Sequence, residues 1–323
     1  MNTQTTKPTR DLSIDFMKGI LIFLVVWGHC ISKFDGNFEE NRIGAMIYSF
    51  HMPLFIMISG MFSLNTLSKG LRQTFARRTT RLLIQALIWS GVFLLIRVIE
   101  THSISPKMIV DSIRGAWFLY CLYFLYLGAA AIWSLKHRYL VAALIGLALY
   151  VLFPYWPAGL KHFVWYLQLT KQWPMFILGA LIAERHYLKN WGGQVFHVVL
   201  AISISVYALF IYERIILMKE SWSLGSDTYI WSGVLSLCSS FVWFVVLQKT
   251  YNYLPLKQVF VSIGNATLGI YMVHGALLHV MPGFGISDVE MFLMAIAVTA
   301  VSYLLTILLR RTTLTKKYLL GEQ

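Results

Sequence analysis

The stretch Asp15-Phe-Met-Lys-Gly-Ile-Leu-Ile-Phe-Leu-Val-Val-Trp-Gly-His-Cys-Ile31 decides the fold. Most of it is apolar enough for a bilayer, and with Leu12–Ile14 it reaches the roughly 20 residues that a spanning helix needs. Yet it keeps Asp15, Lys18 and His29. Ionisable groups inside a membrane are costly and ordinarily face a bundle interior or a water-filled cavity. Lys18 and His29 are eleven residues apart, close to three full helical turns. They therefore share a face, about 16 Å apart along the axis. Asp15, three residues before Lys18, lies where it can pair with it.

Working outward, the same apolar pattern recurs along the chain. Hydrophobic residues make up 58% of the 323 and charged residues only 13%, against about half and a quarter in soluble domains. Mean hydropathy is +0.65. The sequence predicts an all-α polytopic membrane protein, one bundle over residues 1–323 with about ten transmembrane helices. They fall at 12–31, 43–64, 82–100, 116–134, 139–153, 173–184, 194–213, 229–247, 258–281 and 289–309. The fifth and sixth are short, and the aromatic, proline-punctuated stretch 154–174 between them reads as re-entrant or interfacial. No small-residue cleavage site follows the first apolar run, so that run reads as a retained helix.

The net charge of +13 does not point to nucleic acid, because the basic residues fall in short loops between apolar runs. With the N-terminus placed in the cytoplasm, about 18 of the 27 Lys and Arg residues fall inside. Asp35, Glu39, Glu40, Glu220 and Asp227 fall outside. The expected topology is N-in, C-in, with Lys18 near the inner end of the first helix and His29 near its outer end. Cys30, Cys121 and Cys238 lie in apolar segments without metal or disulfide spacing.

Three of the nine histidines sit at similar outward depth on separate helices: His29, His51 and His274. A neutral imidazole takes a proton near pH 7, so such a cluster suits general-base chemistry. His279, five residues beyond His274, points elsewhere and reads as interfacial. No cysteine or acid has ligand spacing beside these histidines, so no metal is expected. On the inner side, Arg78 and Arg81 of Phe75–Leu83 are three apart at what reads as a helix entrance. Guanidinium forks and free N-terminal amides both suit phosphate oxygens; a plain topology anchor is the competing reading. Glu39, Glu40 and Asp288 stand as outer-loop candidates for an acidic partner of His29.

The chain resembles the acyltransferase 3 family of integral-membrane O-acyltransferases. The resemblance rests on Lys18 with His29, on FHMPLFIMISGMF at 50–62, and on Arg78 with Arg81. AWFLYCLYFL at 116–125 and LGIYMVHG at 268–275 complete the order. The FHMPLF version is similar to the branch of fucose 4-O-acetylase-type and surface-polysaccharide acetyltransferases. Lys18 departs from the arginine of many members. The resemblance implies acetyl-CoA as donor, Arg78 and Arg81 as holders of its phosphates, and His29 as catalytic. It implies a glycan or lipid-linked sugar as acceptor and a bacterial inner membrane as location.

Other residues carry open readings. Lys18 either touches the donor's phosphates or snorkels and pairs with Asp15. Ser59 and Gly60 line a donor channel or serve helix packing. Gly264, Asn265 and Gly269 also read as packing. Trp117 stacks on a sugar or anchors the interface. His51 and His274 orient His29, donate to a developing oxyanion, or bind acceptor. A non-catalytic glycan exporter is the contrasting class, and succinyl-CoA the contrasting donor.

Overall fold

The computed structural model describes residues 11–152, 164–184, 193–217, 229–283 and 285–322. Among these there are helices and no strands. In chain order the helices are α1 (Leu12–Phe34), α2 (Arg42–Met61), α3 (Leu64–Leu67), α4 (Gly70–Arg78) and α5 (Ile84–Thr101). Next come α6 (Pro106–Gly115), α7 (Trp117–Ile132), α8 (Arg138–Leu152), α9 (Val164–Glu184) and α10 (Gln194–Phe210). The last are α11 (Tyr229–Thr250), α12 (Lys257–Asn265), α13 (Thr267–Val280), α14 (Asp288–Leu309) and α15 (Thr313–Tyr318). Six are long and apolar enough to cross a membrane, counting Gly70–Thr101 as one, and up to eight when each of two bent pairs counts as a span. The protein is a multi-pass helical membrane protein.

Each expected segment has a helix, but four differ in form or extent. The third does not begin at residue 82. It runs 32 residues from Gly70 to Thr101, through one π-helical stretch at Thr79–Leu83. The fourth is preceded by α6, and the two meet at a 67° bend. The ninth, expected as one rod, is the pair α12–α13, bent by 81°. Both bends use an alanine in the same backbone region, Ala116 (φ −104°, ψ 16°) and Ala266 (φ −106°, ψ 10°). Hydropathy runs straight through both, because a bend changes direction and not composition. The sixth helix starts earlier than expected, so residues from Val164 on are helical. Residues 153–163, like Lys7, Arg10, Arg185, Lys189, Glu220 and Asp227, lie outside the described residues.

Helix α1 lies at the centre of the bundle. It packs against α2, α12, α13 and α14, and α2 in turn packs against α9 and α11. Its N-terminus is capped by Asp11, whose carboxylate accepts from Ser13 N at 2.9 Å. Phe16, Leu21, Ile22 and Val26 are wholly buried along it. Bare backbone contact sets the tightest crossings. A Cβ on Gly264 would overlap the Asp15 carbonyl, and one on Gly60 the Phe176 carbonyl. Both glycines therefore have a packing role. Gly264→Ala is expected to push α12 off α1 and destabilise the fold by about 1–3 kcal/mol. A lowered melting temperature of the purified protein in detergent would show it, and an unchanged one would remove this crossing as a determinant.

Candidate active site

Two groups of side chains collect at opposite ends of α1. At the far end, His29 Nδ1 lies 2.9 Å from His274 Nε2. The two rings stack at 5.1 Å between centroids, 24° from parallel. His274 Nδ1 lies 2.9 Å from the Ile270 carbonyl oxygen. A carbonyl only accepts, so His274 Nδ1 carries the proton and its Nε2 is an acceptor when the ring is neutral. His29 must then donate from Nδ1, which leaves the His29 Nε2 lone pair uncommitted. His51 repeats the first step: its Nδ1 lies 2.7 Å from the Ile47 carbonyl. In neutral form it also presents an unprotonated Nε2. His51 and His274 are buried, at 2% and 1% exposure, whereas His29 is only half-buried. Of the two members of this group left with an uncommitted Nε2, His29 and His51, His29 is thus the one with access.

Helix geometry brings these residues together. α13 turns back onto α1 after the bend at Ala266, which sets His274 against His29. A run of rings extends outward from His274: Tyr271 at 5.7 Å, then Phe118 at 5.2 Å from Tyr271, then Trp117 at 6.1 Å from Phe118. Trp117 is the first residue of α7 and half-buried, so it joins this end of the site through other rings. Tyr48 connects His51 (4.9 Å) to Phe38 (5.3 Å).

Among the described residues the hydrogen-bond partner of His29 is His274. Asp288 accepts from Asn41 at 3.1 Å and Glu40 from Asn37 at 2.9 Å; the Glu39 side chain lies outside the described residues. Asp35, Glu40 and Asp288 instead line a polar cavity of about 590 Å³ with Asn37, Asn41 and Arg42. That cavity sits at the His29 end of α1. Among the described residues no three His, Cys, Asp or Glu side chains are grouped as a metal ion would need.

The other end holds the basic group. Arg78 lays its guanidinium 3.6 Å from the centre of the Tyr126 ring, and its Nη2 donates to Thr66 Oγ1 at 2.9 Å. Its Nε is buried with no hydrogen-bond partner. Tyr126 OH donates to the Ser59 carbonyl at 3.2 Å, and Ser59 Oγ donates back to the Phe55 carbonyl at 3.0 Å. Ser59 thus meets Arg78 through Tyr126, with its own hydroxyl used inside α2. Lys18 Nζ pairs with Asp15 Oδ1 at 2.6 Å and lies 5.8 Å over the Phe62 ring. Asp15 is buried at 3% exposure, so the lysine's partner is fixed.

The expected helix entrance beside Arg78 and Arg81 is not there. The helix begins at Gly70; Arg78 ends its α-helical part, and Arg81 lies within the π-helical stretch Thr79–Leu83 that follows. The backbone N–H groups near them belong to a continuing helix, so an anion here meets side chains alone. Arg77 and Arg81 both lie within electrostatic reach of Arg78, which makes the patch strongly cationic. Tyr126 was not singled out from the sequence. Its one signal is the ring-rich run 117–126, which says nothing about which ring an arginine will cover.

The protein is thus a multi-pass helical membrane protein with a cationic group at one end of α1 and a histidine pair at the other. The chain belongs to the acyltransferase 3 family, whose model, described as an acyltransferase domain, matches residues 11–311. It is similar to nodulation protein NolL of Mesorhizobium japonicum, at 28% identity over 84% of this chain and 78% of that protein. It is also similar to nodulation protein NolL of Sinorhizobium fredii, at 26% identity over 83% and 78%. No solved structure matches.

Proposed function

We propose that the protein is a bacterial inner-membrane O-acetyltransferase, acting as one domain, N-in and C-in. It moves an acetyl group from cytoplasmic acetyl-CoA to a hydroxyl of an envelope glycan or its lipid-linked precursor. Family membership supports acyl transfer. The observation that carries the mechanism is the chain from the Ile270 carbonyl through His274 to His29, which leaves His29 Nε2 as a base.

The acceptor hydroxyl gives its proton to His29 Nε2 as its oxygen attacks the thioester carbonyl carbon. The C–S bond then breaks, the acetyl ester remains on the sugar, and the departing CoA sulfur takes the proton back from the imidazolium. His274 stabilises the right tautomer of His29. His51, whose Nδ1–H is already given to Ile47, suits accepting a hydroxyl of the acceptor better than donating to an oxyanion. Arg78, Arg81 and Lys18 face the donor's phosphates, Ser59 fixes Tyr126 beneath Arg78, and Trp117 offers a ring to the sugar.

Membranes holding the protein, given acetyl-labelled acetyl-CoA, are expected to place base-labile label in host glycan or glycolipid, and control membranes are not. Label from succinyl-CoA alone would change the donor; label from neither would remove the reading. His274→Gln is expected to lower kcat roughly 10- to 100-fold with donor KM unchanged, because His29 loses its fixed tautomer. A rise in donor KM with kcat intact would place His274 in binding.

A further inference from the structure

A second charged constellation lies at the histidine end of the bundle. Arg97, one turn from the end of α5, donates from Nη1 to Asp111 Oδ2 at 3.2 Å. Arg114, in the last turn of α6, reaches the other oxygen of the same carboxylate, Asp111 Oδ1, at 3.4 Å. On α13, His279 Nε2 stands 3.7 Å from Glu100 Oε2, beyond hydrogen-bond reach. Lys33, in the last turn of α1, lies within electrostatic reach of His279, as do Arg97 and Glu100. Three permanent cations thus face two carboxylates.

Two nitrogens in this cluster, Arg97 Nε and His279 Nε2, are buried without hydrogen-bond partners. Buried polar nitrogens are ordinarily paired, and one left bare is costly. A single Arg97–Asp111 pair would suffice to tie α6 to α5. A second guanidinium on the same carboxylate and two bare nitrogens go beyond that need.

The cluster is placed for the reaction. Phe93, one turn before Arg97 on α5, packs its ring against Gly275, the neighbour of His274. Arg97 therefore lies one helical turn beyond the level of the histidine pair, about 6 Å along α5.

We infer that Arg97, Arg114 and His279 form an anion subsite for the acceptor, which takes a carboxylate or phosphate group and so sets the sugar hydroxyl over His29. Guanidinium forks match both groups. The inference rests on the acceptor reaching His29 from this end, as in the proposed function. The anion is either an acidic sugar of the glycan or the phosphate that joins the glycan to its lipid.

The test reads binding alone, with no acyl donor present. The full chain is placed in nanodiscs of phosphatidylcholine and titrated with a uronic-acid oligosaccharide, with a polyprenyl phosphate, and with a neutral oligosaccharide of equal length. One anionic probe is expected to bind at least tenfold more tightly than the neutral one, and which probe does so identifies the source. Arg97→Gln is expected to weaken that probe at least tenfold. Glu100→Gln removes a competing charge at an exposed position and is expected to tighten it two- to threefold, which keeps the test decisive if Arg97→Gln does not fold. Equal binding of all three probes overturns the subsite, as does wild-type affinity in both variants. Anion binding that survives while acetyl transfer is never observed would sink the acetyltransferase reading and leave the subsite standing.

Discussion

Membranes carrying His29→Ala are expected to lose acetyl transfer by about 10²–10⁴-fold, the usual worth of a positioned general base. Donor affinity is expected to stay near the wild-type value, because the cationic group lies about 16 Å away along α1. The size of the effect follows from the hydrogen-bond chain. His274 and His51 both hold their Nδ1 protons on carbonyls of their own helices, and His274 Nε2 is taken up by His29. His29 Nε2 is the basic nitrogen that combines a forced lone pair with access. His29→Ala also leaves His274 Nε2 without its donor, so folding is checked by melting temperature before rates are compared. Full transfer by a folded His29→Ala protein would end the general-base assignment and turn attention to His51.

Arg78→Ala is expected to raise the KM for acetyl-CoA roughly ten- to hundredfold, with a smaller change in kcat. A hydrogen bond to a charged group is worth about 1.5–3 kcal/mol, and Arg78 is pre-set for one. Its plane is held by the Tyr126 ring and Thr66, so little side-chain freedom is lost on binding. Arg78→Lys is expected to recover little, since an ammonium keeps the charge but not the stacked fork. Acetyl-CoA titration of the purified protein separates this from a folding defect. An unchanged affinity in a folded Arg78→Ala protein would move the phosphate grip to Arg81 or to Lys18.

Much of this site was legible in the sequence because a bilayer limits the choices. Apolar runs set the helices, and the depth of a residue within its run placed His29, His51 and His274 at one level and Lys18 and Arg78 at the other. What could not be read was pairing. His29 and His274 are 245 residues apart, and shared depth does not say which rings touch. Glu40 and Asp288 are candidates by their place in the outer loops, yet each accepts a hydrogen bond from a nearby asparagine. The residues from Gly70 to Arg78 fall between expected helices because they are polar. A helix continuing beyond the apolar run keeps the same backbone bonds, and hydropathy does not register it. The alanines at the two bends carry no mark that separates them from helical alanine.

If the proposed function holds, helix α1 also bears on which donors the protein accepts. Lys18 and His29 ride on one unbroken helix, so their separation is fixed, and under the proposed function it would gauge the length of the donor. A thioester whose anionic end lies much closer to its acyl carbon than about 16 Å cannot occupy both ends together. It gives up either the charge contacts or contact with His29 Nε2. Under the proposed function, truncated donors are therefore expected to be poor substrates, whatever acyl group they carry.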